Sequence, residues 1–120
     1  MSFVHSCFRQ IEELRRIHPD PLLTINPLTA SALGLNEGDW AYIETPEGKV
    51  KQRVKLDERI DSRVVHADGY WWYPEREGKV PTLFDVWESN INSIIPDGPE
   101  YCDYAGDNYF RALLCRVYKA

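Results

Sequence analysis

Residues 46–56 constrain the fold more than any other part of this chain. Pro46-Glu47-Gly48 has the composition of a tight turn: proline presets one backbone angle, and glycine reaches angles that other residues avoid. The stretch after it alternates, with Val50, Val54 and Leu56 on one side and Lys49, Lys51, Arg53 and Lys55 on the other. A period of two means a strand with one dry and one wet face. Gln52 interrupts the dry face once. With Trp40-Ala41-Tyr42-Ile43-Glu44-Thr45 ahead of the turn, the pattern predicts a hairpin with strands at 40–45 and 49–56.

The rest of the chain reads around that hairpin. Phe8, Ile11, Leu14 and Ile17 recur every three residues with charges between them, which predicts a helical segment over 8–17 with an apolar stripe. His18-Pro19-Asp20-Pro21 ends it, because the residue before a proline is pushed out of the helical region. Leu22–Ile25 is short and apolar, a strand. Asn26-Pro27 then combines a good helix cap with a residue suited to the first helical position, so a short helix over 27–33 follows and stops at Gly34. A further strand is predicted at 63–66. The last is predicted at 110–118, apolar on nearly both faces and therefore central. Short strands with one helix wedged among them point to a small closed barrel rather than a sandwich or a doubly wound sheet.

Between these elements, residues 68–92 carry three of the four tryptophans, Trp71, Trp72 and Trp87, with no sustained period. Ordering so many large rings without regular structure costs conformational entropy. It is worthwhile only if they cover a core or line a cleft. Trp71, Trp72, Phe84 and Trp87 are expected to be partly buried, and the charged, glycine-containing tip at 75–81 to be mobile.

At 120 residues the chain is one domain with enough bulk for a core. Its net charge of -5 argues against nucleic-acid binding, which needs a basic face. No apolar run approaches the roughly 20 residues of a membrane span, so no direct membrane insertion is expected. The first residues do not have the pattern of a signal peptide, and the three cysteines, Cys7, Cys102 and Cys115, are odd in number and far apart, which favours free thiols in a reducing compartment. The three histidines and three cysteines show no zinc spacing. No nucleotide-binding glycine motif or nucleophile elbow occurs. The acids Asp57, Glu58, Asp61 and Asp68 read as solvated loop carboxylates, and the Lys49–Lys55 stripe as the outer face of a hairpin. By composition and motif alone, the sequence describes a binding module.

Several pieces taken in order resemble the C-terminal domain of molybdopterin-dependent oxidoreductases, the dimethyl sulfoxide reductase and formate dehydrogenase superfamily. They are HSCFRQIEELR at 5–15, LLTINPLTASALGLNEGDWAYIETPEGKVKQRVKL at 22–56, VVHADGYWW at 64–72, WESNIN at 87–92 and FRALLCRVYK at 110–119. The second piece is the specific one, and together they span nearly the whole chain. The resemblance implies a mostly β, double-psi β-barrel of about six strands with one or two short helices. It also implies a non-catalytic domain that caps the guanine dinucleotide pterin cofactor of molybdenum or tungsten.

Matched position by position, the resemblance assigns His5, Ser6, Asn92 and Arg111 to the cofactor, with Trp72 and Phe84 near the same cleft. It implies no catalytic or metal-ligating residue within these 120 positions. The family's opening strand and glycine–arginine turn have no counterpart ahead of His5. This predicts a piece of a larger catalytic subunit, inactive and without cofactor by itself; the alternative is a separately encoded small subunit. Partners would be the remaining domains and an iron–sulfur electron-transfer subunit. The missing strand would leave a sheet edge exposed or filled by a second copy. Two competing readings are an autonomous small barrel that mediates protein interactions and a self-cleaving pyruvoyl-dependent decarboxylase. The latter matures at a Gly-Ser bond, a dipeptide this chain lacks.

Overall fold

The computed structural model describes residues 7–69, 71, 79–80, 86–102, 104–105 and 113–120. In chain order the elements are α1 (Glu12–Ile17), β1 (Leu22–Ile25), α2 (Pro27–Ala32), β2 (Trp40–Thr45), β3 (Gly48–Leu56), β4 (Val65–Ala67), α3 (Val86–Ser89) and β5 (Arg116–Lys119). Two one-turn 3-10 helices, Ile91–Ile94 and Pro99–Tyr101, lie between α3 and β5. The strands form one five-stranded mixed sheet in the order β4-β1-β3-β2-β5. β1 runs parallel to β3 with Leu23 opposite Val54, and the other pairs are antiparallel.

Local chemistry explains most of these boundaries. The hairpin turns at Gly48, whose positive φ of 149° a side chain would resist. On β3, Val50, Gln52 and Val54 all face inward, as the alternation requires. Asn26 caps α2 by accepting a hydrogen bond from the Leu28 N–H at 2.9 Å. Its amide also donates to the Ile60 carbonyl at 2.8 Å, fastening the loop after β3 over the helix start. Leu33 follows the helix, and Gly34 then takes the left-handed angle. The core is made of Leu23, Ile25, Ala30, Leu35, Ala41, Ile43, Val50, Val54 and Ile94, with Leu56, Val65, Ala67, Ile91 and Val117 packed around it.

Three expectations are corrected. The final strand is not central: β5 pairs only with β2 among the described residues, and Leu114 just before it is 92% exposed. Apolar side chains on both faces signal burial only if something covers both, and among the described residues β5 lies at one end of the sheet order. The segment over 8–17 is helical only from Glu12, and its apolar stripe does not enter the core, because Phe8, Ile11 and Ile17 are all exposed. Trp87 is 62% exposed, since α3 packs on β3 through its other side. Most of the 75–81 tip lies outside the described residues. The strand expected at 63–66 lies at 65–67.

The wet face of the sheet is paired rather than bare. Lys51 bridges to Glu88 of α3 at 3.0 Å, Arg53 pairs with Asp20, and the Lys49 ammonium sits 4.3 Å over the Tyr42 ring, which leans on Tyr118 across the β2–β5 pair. In the loop after β3, Asp57 and Asp61 each accept hydrogen bonds from the arginine two residues on, Arg59 and Arg63. Those side-chain bonds, helped by the arginine backbone N–H groups, hold Asp57 well below the usual carboxylate range and Asp61 at about 2. Their folded pKa values are depressed, so this stabilisation is present above about pH 4 and disappears as pH falls toward 2. Acid titration followed by circular dichroism should show a shallower loss of fold in Asp57→Asn/Asp61→Asn than in the parent. Identical acid limbs would mean that these exposed pairs contribute nothing.

Candidate functional site

The aromatic segment starts where the chain leaves β4, and its base is tied down by polar groups. Gln52, fully buried on β3, donates from Nε2 to the carbonyl of Asp68 at 2.8 Å and to that of Ser89 at 3.1 Å, and its Oε1 accepts from the Asp68 N–H at 3.0 Å. A primary amide has the donor and acceptor set of a peptide unit, so Gln52 acts as an extra piece of backbone joining the two ends of the segment. The break in the apolar face of β3 is therefore the closure of a loop. Ser89 adds a hydrogen bond from Oγ to the Trp71 carbonyl at 3.3 Å.

Asp68 is not a solvated carboxylate. Its Oδ2 accepts from the Leu22 N–H at 2.9 Å and lies 2.8 Å from His18 Nε2, with both side chains largely shielded from solvent. The His18 ring stacks at 5.0 Å on Trp71, and the Arg9 guanidinium covers the indole 3.3 Å from its centre. Trp71 is thus buried against the Arg9 guanidinium and the His18 ring. Arg9 is only 1% exposed, and burial, reinforced by nearby Arg15 and opposed by Asp68, lowers its pKa to about 10. It remains charged at neutral pH, and the face of the indole suits such a desolvated cation. This cluster fastens residues 7–18, which follow His5 and Ser6 in sequence, to residues 66–71, which precede Trp72.

Of the six expected cofactor residues, Asn92 is described. It is exposed on the 91–94 turn, and its backbone N–H is held by the Asn90 side chain at 3.1 Å. The Asn92 carboxamide makes no hydrogen bond among the described residues. The turn itself is rigidly seated: Ile94 is buried in the core, and the Thr45 hydroxyl donates to its carbonyl at 2.7 Å. His5, Ser6, Trp72, Phe84 and Arg111 lie outside the described residues. Thr45 also borders an open depression of about 360 Å³ lined by Glu44, Pro46, Leu114, Cys115 and Arg116. Thr45 therefore both holds the turn carrying Asn92 and borders a depression walled by residues 114–116.

Arg9, His18, Gln52 and Asp68 were not singled out as site residues by the sequence. Only Gln52 left a visible signal, as the polar residue in an apolar register. Among the described residues, no group of three or more His, Cys, Asp or Glu side chains is placed to hold a metal ion, and no helix is long and apolar enough to cross a membrane.

Over 119 residues, 98% of its length, the chain is 34% identical to dopamine dehydroxylase of Eggerthella lenta, of which it spans 11%. Over 79 residues it is 37% identical to acetylene hydratase of Syntrophotalea acetylenica, covering 66% of this chain and 11% of that protein. The solved structure of acetylene hydratase from Pelobacter acetylenicus superposes on 99% of this chain and 17% of its own with a TM-score of 0.91, at 31% identity. The sequence profile described as Molydopterin dinucleotide binding domain matches residues 2–112. A match over that span, with the same fold in a relative above 30% identity, places the chain in the molydopterin dinucleotide binding domain family.

Proposed function

We propose that this domain caps the guanine dinucleotide part of a molybdopterin cofactor within a much larger molybdenum or tungsten oxidoreductase, and that it contributes binding groups rather than catalytic ones. In this reading the five strands belong to a double-psi barrel. The bound cofactor supplies the redox chemistry. Asn92 would offer an amide to the hydrogen-bonding edge of the cofactor, Arg111 a cation to a carbonyl or phosphate, and the His5–Ser6 segment, Trp72 and Phe84 the remaining wall. The other domains and an iron–sulfur electron-transfer subunit would be its partners.

The observation that carries this reading is the state of Asn92. Its carboxamide is exposed and uncommitted among the described residues, while its backbone is fixed by Asn90 and by the seat at Thr45. A polar side chain on a rigid turn has little entropy to lose when it meets a ligand. In the assembled enzyme, Asn92→Ala should weaken retention of the guanine nucleotide about fivefold, the equivalent of roughly 1 kcal/mol for one hydrogen bond. The measurement is nucleotide released per protein after a mild wash. Unchanged retention in Asn92→Ala, in Arg111→Ala and in the double variant would reject the assignment.

A further inference from the structure

The segment after Cys7 is inverted at its start relative to an ordinary amphipathic element. The first of its three arginines, Arg9, is 1% exposed, whereas Phe8, Ile11 and Ile17 are 53%, 39% and 71% exposed. The inversion has a local cause. Arg9 turns inward to cover Trp71, and Phe8 takes a positive φ of 68°, a conformation that an aromatic residue adopts only at some strain. Ile11 caps α1, Leu14 is half-buried within it and Ile17 closes the helix, so the exposed apolar side chains recur at and just before this one short helix. Glu12 and Arg16 pair at 2.6 Å beside it, an ionic margin to an apolar strip.

We infer that the Phe8–Ile11–Ile17 stripe is the surface through which this domain docks on the rest of the larger enzyme. The inference rests on the proposed function, and it assigns the partner's surface as apolar protein. The stripe itself offers no charge for a phosphate or an acidic peptide. The solved relative that matches 99% of this chain devotes 17% of its own length to the match, and the curated relatives 11%, so a like-folded body in those proteins is accompanied by a far larger one. Exposed large apolar side chains, Phe8 among them at a strained positive φ, then have a covering to meet.

The test compares hydrogen–deuterium exchange at residues 11–17 in the assembled enzyme and in the 120-residue protein alone. Exchange should be at least about tenfold slower in the assembly, and Phe8→Gly/Ile17→Ser should abolish that protection. The same substitutions should leave the melting temperature of the 120-residue protein unchanged or slightly raised, because Phe8→Gly relieves the positive φ and neither side chain is buried. A role in the domain's own stability would lower it instead. Equal exchange rates in the two forms would overturn the inference. So would a concentration-dependent dimer of the 120-residue protein that Ile17→Ser abolishes, since the stripe would then belong to a second copy. An assembly that protects the stripe yet contains no pterin would reject the cofactor reading and leave the docking surface standing.

Discussion

Gln52→Leu is expected to destabilise the domain by roughly 3 kcal/mol or more, although leucine is apolar, of similar size and placed on the apolar face of a strand. Three hydrogen bonds are lost at once, and the Ser89 carbonyl and both polar groups of Asp68 lose a shielded partner. The Asp68 N–H keeps its contact with the Leu22 carbonyl at 3.0 Å, which sets one part of the loss aside. Gln52→Glu should be worse, because a carboxylate can accept from Asp68 but cannot donate to two carbonyls, and it would bury a charge. Urea unfolding reads the magnitude. If Gln52→Leu came within about 0.5 kcal/mol of the parent, the amide would not be closing the loop as described.

The second large effect is expected at Trp71. Trp71→Ala should cost about 3–5 kcal/mol, the usual range for removing a buried indole, and lower the melting temperature by more than about 10 °C. Two groups lose a contact together: the Arg9 guanidinium at 3.3 Å and the His18 ring at 5.0 Å. Arg9→Lys should also destabilise, since an ammonium is compact and cannot lie flat on the ring as a guanidinium does. A double-mutant cycle between Arg9→Ala and Trp71→Ala isolates the contact, with an expected coupling of about 1–2 kcal/mol for a desolvated pair. Additive effects would show that each residue is needed for packing alone and that the stack has no energy of its own.

The legible parts of this fold are those decided by neighbours in sequence. The hairpin of β2 and β3, the Asn26 cap on α2 and the short β1 all follow from period, turn chemistry and proline, and they appear within a residue or two of where that chemistry puts them. Family membership was legible for the same reason, because the spacing of LTINP, LGL, GDW and TPEG is itself a string of local signals. For the candidate cofactor residues, the sequence supplied names and the described structure supplies a setting for Asn92.

What only the tertiary structure decided depends on contacts far apart in the chain. Whether an apolar side chain is core or surface is a property of what lies over it. Val50 and Ile17 are both apolar, yet one is buried in the core cluster with Ile94 and the other is 71% exposed. The segment over 110–118 looked central because most of its residues are apolar, but the place of β5 in the sheet was set by pairing with β2, more than seventy residues earlier in sequence. Polar residues show the same limit more sharply. Gln52 could be recognised as out of pattern, but not as the tie between Asp68 and Ser89, which approach it from 16 and 37 positions away. A charged Arg9 inside and a phenylalanine outside contradict simple hydropathy. They occur because the face of Trp71, brought over from the end of β4, offers that cation a better surrounding than any local pattern could announce.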